Sequence, residues 1–236
     1  MDTKIEELSI FLPTYNEEGN IGTVIKRTIE AANLYANKWE LIIVDDGSTD
    51  STNKIASQIA DSDPNIRVIR HEKNSGYGAS LKTGFYNSKY SWIAFTDSDG
   101  QFDFAEIKKF IEKQKETGSD LVIGYYNKRR VSLTKKITSK IWEALVLVLF
   151  GLNVRDIDCG FKLISKKVFN EIPKLESERG AFISSELLIK AKKQGFKISE
   201  IPVTHYPRLK GAGTGRKLDV IVQSFIDLLR LWKKLK

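Results

Sequence analysis

The chain has one cysteine, Cys159, and two histidines, His71 and His205, far apart in the sequence. A lone cysteine excludes a disulfide scaffold and a cysteine zinc cluster, and it fits a reducing compartment. Two distant histidines exclude a multi-histidine metal site. No apolar run reaches the ~20 residues needed to cross a bilayer; the densest stretch, Ala144 to Leu152, is about half that. The opening Met-Asp-Thr-Lys-Ile-Glu-Glu lacks the apolar core of a secretory leader. There is no GxGxxG, which argues against a dinucleotide fingerprint, and no GxxxxGK[ST], which excludes P-loop nucleotide hydrolysis. Repeats, low-complexity tracts and a Pro/Gly/Ser linker between the halves are also missing. These absences predict a cytoplasmic protein, soluble or peripheral on the cytoplasmic face of a membrane.

What is present is globular: 236 residues, 41% hydrophobic and 29% charged, enough chain for one large core. The formal net charge of +8 calls for an anionic partner, whether nucleic acid, phosphorylated substrate or acidic lipid. A basic nucleic-acid-binding module is the alternative of a different class. The scattered lysines and the lack of an RNP, zinc-finger or helix-turn-helix signature speak against it, so no nucleic-acid partner is expected.

The first half alternates strand and helix patterns. Strands are expected at 9–13, 40–44, 66–69, 92–96 and 121–124, and helices at 17–35, 77–88 and 103–116, with another opening at Thr49–Thr52. Short apolar runs separated by single helices indicate βαβ crossovers and a mostly parallel sheet flanked by helices. The second half is less regular, with a helix at 134–150, a polar loop at 153–160, a strand at 161–164, a helix at 181–194 and a strand at 198–204. We read one α/β domain over 1–215 and a C-terminal amphipathic helix over 216–236.

In open parallel sheets ligands bind beyond the carboxyl ends of the strands. The first strand is followed by Pro13-Thr-Tyr15-Asn-Glu17 and the second by Val44-Asp45-Asp46-Gly-Ser-Thr-Asp50. An Asp-Gly turn and a helix cap account for Gly47 to Asp50. They leave the adjacent Asp45 and Asp46 unexplained, and an acid there can accept from a base N–H or a ribose hydroxyl. The fourth strand is followed by Asp97-Ser-Asp99-Gly-Gln101, where two carboxylates at i, i+2 can hold one hard cation and leave positions for phosphate oxygens. An EF-hand loop is excluded by the position of its glycine and by Lys108 at the twelfth position. The string is also similar to the nucleophile loop of haloacid-dehalogenase-type phosphatases, with Asp97 as nucleophile, but Gln101 departs from that pattern. Asn74-Ser-Gly76-Tyr-Gly78-Ala opens a helix with small residues that would let a nucleotide or sugar approach.

Taken in order, these four motifs resemble the family 2 glycosyltransferases of GT-A fold, and within them the dolichol-phosphate mannose synthase and polyprenyl-phosphate hexosyltransferase group. The later Asp156-Ile-Asp158-Cys-Gly160-Phe-Lys162 is similar to that group's acceptor-side motif. The resemblance implies that Pro13, Tyr15 and Glu17 line the nucleotide, with Val44 and Asp46 at the base. It implies that Asp97, Asp99 and Gln101 hold Mg2+ or Mn2+ and, through it, the diphosphate. The implied reaction is inverting transfer of a hexose, mannose ahead of glucose, from a GDP- or UDP-sugar to dolichyl or polyprenyl phosphate. A glycan or other hydroxyl acceptor is the alternative.

Negative charge develops on the departing diphosphate, so cations should stabilise it. The candidates are Arg129 and Arg130 after the fifth strand, and Arg208, Lys210 and Arg216 around the glycine-rich 211–215 stretch, which reads as a mobile lid. A phosphate acceptor is already ionised and needs no general base; an alcohol acceptor would need one, and Asp158 and Glu186 are the candidates. His205, beside a tyrosine and a proline, reads as a structural hydrogen-bonder. Leu218, Ile221, Val222, Phe225, Leu228, Leu229 and Trp232 form a wide apolar face that ends in lysines, as expected of a helix lying on anionic lipid or, alternatively, packed on its own core or a partner.

Overall fold

The computed structural model describes residues 4–126, 133–178, 180, 182–208 and 218–235. Along the chain run β1 (Ile5–Thr14), α1 (Ile21–Tyr35), β2 (Ala36–Asp45), α2 (Thr52–Ala60), β3 (Ile66–Arg70), α3 (Tyr77–Asn87), β4 (Trp92–Phe95), α4 (Ile107–Thr117) and β5 (Leu121–Tyr126). There follow α5 (Leu133–Phe150), β6 (Lys162–Ser165), α6 (Lys166–Glu171), α7 (Phe182–Lys193), β7 (Ile198–Val203) and α8 (Leu218–Leu235).

The strands form one seven-stranded sheet in the order β3-β2-β1-β4-β6-β5-β7. All neighbours are parallel except those of β6, which runs against both β4 and β5. That one reversal matters for the site. Because β6 runs backwards, the segment entering it arrives at the same rim where the parallel strands end.

Side chains alternate across the sheet with the period of two that a strand imposes. Leu8, Ile10 and Leu12 of β1 join Leu41 and Ile43 of β2 in a core under α1 and α4. Phe11, Ile42 and Val44 point the other way, into a core shared with α3, α7 and α8. Both faces are covered, which is why the strands read as unbroken apolar runs. At the centre of the second core Phe11 stacks on Phe95 at 5.1 Å and meets Phe85 edge-on at 5.0 Å.

Several elements differ from the sequence expectation. β1 and β2 extend further back, through Glu6, Glu7, Asn37 and Lys38, where polar residues interrupt the pattern. Helix α1 starts at Ile21, not 17, because Glu17 to Asn20 form a turn whose Glu17 carbonyl accepts from the amides of both Asn20 and Ile21. The short α6 was not anticipated. Helix α8 buries Leu228 and Leu231 against the domain while Phe225, Ile226 and Leu229 stay exposed. Trp142 of α5 meets Phe225 of α8 edge-to-face at 5.3 Å, and α5 exposes Ile141, Leu147 and Val148, the last at 81%. Among the described residues no helix is long and apolar enough to cross a membrane.

Gly84 of α3 lies so close to β1 that a methyl group there would overlap the ring carbons of Phe11. The aromatic cluster cannot retreat without losing its stacking. Gly84→Ala is therefore expected to cost about 2–3 kcal/mol, and urea unfolding should show it as a lowered midpoint with an unchanged slope.

Candidate active site

The loops after β1 and β2 are laced together by side chains. Asn16, with φ of 54°, is held in the left-handed region; its Oδ1 accepts from the Thr49 amide at 2.8 Å and its own amide donates to Ser48 Oγ at 2.9 Å. Glu17 N–H donates to Thr52 Oγ1 at 2.8 Å, and Ser51 N–H to Glu18 Oε2 at 2.9 Å. The Gly-Ser-Thr-Asp stretch thus does more than turn the chain, since it fixes the position of Glu17. Gly47, with φ of 71°, has the backbone of Lys73 and Asn74 where a Cβ would go, so a third loop is packed against the first two.

Asp45 and Asp46 divide their work. Asp45 accepts from the Ser48 amide at 3.0 Å and pairs with Arg70 at 3.3 Å. Asp46 accepts from the amides of Ser75 (2.9 Å) and Gly76 (2.8 Å), and its Oδ1 lies 2.7 Å from His71 Nδ1. Asp46 therefore anchors the start of α3, a role that adjacent acids in a sequence do not announce. His71 was missed for the same reason, being known only as half of an excluded metal site.

Helix α3 then reaches the central acids. Tyr77, its first residue, donates its hydroxyl to Asp97 Oδ1 at 2.9 Å. Asp99 accepts from the Gln101 amide at 3.0 Å. Arg208, in the segment after β7, closes the group: its guanidinium donates to Glu17 Oε1 at 2.8 Å and to Asp99 Oδ2 at 2.9 Å. Asn20 donates to the other Glu17 oxygen at 2.7 Å. Acids from the β1 and β4 loops and a cation from beyond β7 thus meet on one rim, 191 residues apart at the extreme.

Burial pushes the Asp97 carboxyl up to about 7; the charge of Asp99 adds to the rise, while Tyr77, Lys162 and Arg208 pull against it. A buried carboxyl beside a second acid and short of positive charge is the environment a divalent cation relieves. Among the described residues no three acids, histidines or cysteines gather closely enough to hold a metal by themselves. A hard cation on Asp97 and Asp99 would draw its remaining ligands from phosphate oxygens and water, as Mg2+ ordinarily does. The donor set fits that use.

The far side of Asp97 is formed by the segment entering β6. Gly160 lies against the Asp97 carboxylate so closely that a Cβ would collide with Oδ2. Asp158 is half-buried in this segment, its amide donating to Asp156 Oδ1 at 3.1 Å. Lys162, fully buried, donates to the Ile157 carbonyl at 3.2 Å and to the Cys159 carbonyl. His205 packs edge-on against Tyr126 (4.7 Å) and Phe102 (5.6 Å), in keeping with a structural role.

Three expected site residues lie elsewhere or do other work. Glu186, a candidate base, is 2% exposed in α7; its oxygens accept from the Glu176 and Ser177 amides at 2.9 Å and from the Ser177 hydroxyl and Lys190 at 2.6 Å. Burial opposes its charge, yet these partners hold its carboxyl below the usual value, so it is a strut rather than a base. Val44 is fully buried in the core and presents no side chain to a ligand. Gln101 donates its side-chain amide to the Tyr206 carbonyl at 3.0 Å and receives the Tyr206 N–H on its backbone carbonyl, tying the Asp97–Asp99 loop to the Arg208 segment. Pro13 is buried, its carbonyl accepting from Ser98 Oγ at 2.8 Å, and Tyr15 is half-buried beside it. Arg129, Arg130, Lys210 and Arg216 lie outside the described residues.

Known proteins share this fold. Residues 9–173 match the model of glycosyl transferase family 2. The chain is 30% identical over 228 residues to the dodecaprenyl-phosphate galacturonate synthase of Rhizobium johnstonii, covering 94% of this chain and 65% of that protein. It is 29% identical over 221 residues to the dolichyl-phosphate beta-glucosyltransferase of Saccharomyces cerevisiae (84% and 66%), and 27% identical over 208 residues to glycosyltransferase AglD of Haloferax volcanii (86% and 33%). The chain thus spans from 33% to 66% of the length of these three relatives. In structure it is similar to glucosyl-3-phosphoglycerate synthase from Mycobacterium tuberculosis, solved with Mn2+ and UDP-glucose, with a TM-score of 0.69 at 22% identity over 98% of this chain and 79% of that one. The fold is GT-A, a mostly parallel sheet with flanking helices, as the sequence led us to expect.

The raised pKa of Asp97 has a measurable sign. The folded carboxyl ionises near 7 and the unfolded one near 3.8, so the folded state holds its proton longer and loses that advantage as pH rises from about 4 to 7. In chelator, the melting temperature of Asp97→Asn relative to the wild type should rise steadily between pH 5 and pH 8. A difference that does not change with pH would contradict this environment for Asp97.

Proposed function

The chain belongs to glycosyl transferase family 2, and from that premise we propose that it transfers a hexose from a nucleoside diphosphate sugar to a polyprenyl phosphate. The single observation that carries the reading is the meeting of Asp97, Asp99, Glu17 and Arg208 on one rim, acids suited to a cation with a guanidinium beside them. A divalent metal, Mg2+ or Mn2+, would be held by Asp97 and Asp99 and would neutralise the diphosphate as it leaves.

The remaining chemistry falls to the chain itself. An acceptor phosphate oxygen forms the bond to the anomeric carbon while the bond from that carbon to the diphosphate oxygen breaks, inverting the centre. No proton has to be removed, because the attacking oxygen is already ionised. The loss of Glu186 as a candidate base favours this acceptor over an alcohol; Asp158 remains the residue an alcohol acceptor would require. Arg208 is placed to exchange one of its carboxylate partners for a phosphate oxygen of the leaving group. The names of the relatives support glucose or a uronic acid ahead of mannose, and the UDP-glucose complex of the structural neighbour supports uridine ahead of guanosine.

The direct test offers UDP-glucose, UDP-galacturonic acid and GDP-mannose, with Mn2+ or Mg2+, against dolichyl phosphate and a simple alcohol in detergent. Labelled sugar is expected in the lipid phase from a UDP-sugar and dolichyl phosphate, and Asp99→Ala should lower kcat by about 100-fold or more. Transfer to the alcohol alone would overturn the acceptor assignment.

We further propose that the exposed residues of α5 and α8 rest on an anionic lipid surface, where a polyprenyl phosphate would be met. Phe225, Ile226 and Leu229 are exposed near Lys233 and Lys234, and Ile141, Leu147 and Val148 lie on the helix that touches α8. Truncating α8 would also remove the buried Leu228 and Leu231, so substitution is the cleaner probe. The protein should co-sediment with phosphatidylglycerol vesicles, and Ile226→Ser with Leu229→Ser should release it without a large change in melting temperature. Undiminished binding would remove α8 from the contact.

A further inference from the structure

Lys162 is a charged residue in a place that ordinarily excludes charge. It sits in the middle of the sheet on β6 with no exposure, its ammonium 5.6 Å from the face of Phe95. Burying an ammonium costs several kcal/mol, and an apolar side chain of similar length would suit the packing better. Burial accordingly pulls its pKa down, while Cys159, Asp156, Asp158 and Asp97 push back. A residue kept against that cost calls for a reason beyond packing.

Its hydrogen bonds supply one. The ammonium donates to the carbonyls of Ile157 and Cys159, which bracket Asp158. The next residue, Gly160, is wedged against the Asp97 carboxylate. The bend that presents Asp158 is therefore drawn down onto Lys162 and held against Asp97 at once. This bend lies on the β6 side of Asp97, while Tyr77 and the Asp46-anchored loop occupy the other side. If the sugar nucleotide takes the β1–β2–α3 side, the acceptor has to approach over the bend.

We infer that Lys162 is a positioning residue that fixes the 156–160 bend against Asp97 and so sets where the acceptor phosphate stands. This rests on the transfer reaction proposed above. Lys162 touches neither substrate; it acts through the backbone it holds. Its removal should weaken acceptor binding more than donor binding, because Asp97 on the donor side is also held by Tyr77 while the bend is held by Lys162.

The test is two-substrate initial-rate kinetics of the full chain carrying Lys162→Met, with the sugar nucleotide found active and dolichyl phosphate as acceptor, alongside melting temperatures. The acceptor KM should rise by about tenfold, within the range known for outer-shell supports, and the donor KM by a clearly smaller factor. A merely structural role would lower the melting temperature and the active fraction, hence kcat, with both KM values unchanged; that result would overturn the inference. Should Lys162→Met not fold, Lys162→Gln keeps one donor for a carbonyl. An acceptor KM raised about threefold or more would then support the inference, and an unchanged one would overturn it. A wild-type protein that transfers nothing to a prenyl phosphate would remove the parent reading, whereas an active wild type with an indifferent Lys162 removes only this one.

Discussion

Carboxylates repel, and the rim of this sheet brings Glu17 and Asp99 onto a single guanidinium with Asp97 in the same field of charge. Such a group persists only if cations stand between its members, and Arg208 is one of them. Much of the local architecture serves that arrangement. The Asn16–Thr49 and Glu18–Ser51 ties hold Glu17, the Asp46 anchor delivers Tyr77 to Asp97, and the Gln101–Tyr206 exchange brings Arg208 to Asp99. The positive balance is still incomplete at Asp97, whose carboxyl keeps its proton near neutrality. A cationic ligand would relieve a rim left short of positive charge in this way.

A second theme is the division between acids that bind and acids that build. Asp45 and Glu186 are both buried and both tie neighbouring segments together: Asp45 accepts from the Ser48 amide and pairs with Arg70, and Glu186 accepts from Lys190, Ser177 and Glu176. Both oxygens of Glu186 are engaged. Asp46 stands between the two classes, since it is engaged by His71, Ser75 and Gly76 yet lies at the strand end where a nucleotide would pass.

The central strands were legible because burial on both faces leaves no polar position to confuse the pattern, as Leu41 to Val44 illustrate. Their outer ends were not, since Asn37 and Lys38 pair with β1 as strand while carrying exposed side chains. The direction of β6 was invisible, because alternation is the same read either way. The start of α1 was placed too early because Glu17 and Glu18 are good helix formers that the rim uses in a turn. In the site, acids following strands could be read from the motifs, and so could Arg208. Tyr77 and Lys162 could not, because their partners are 20 residues away in one case and neighbouring backbone carbonyls in the other. Glu186 misled for a related reason: a glutamate in an apolar helix looks like an active group until its partners ten residues upstream are known.

The reversed strand β6 has a consequence for how the chain is made. β4 is complete at Phe95, but its second neighbour begins only at Lys162. During synthesis the first four strands can assemble while one side of β4 still displays open backbone, and β5 can find no permanent berth until β6 arrives to join it. For that interval the nascent protein carries an adhesive sheet margin beside the phenylalanine cluster. Quality-control factors that recognise such margins would meet this polypeptide at one defined stage of its elongation.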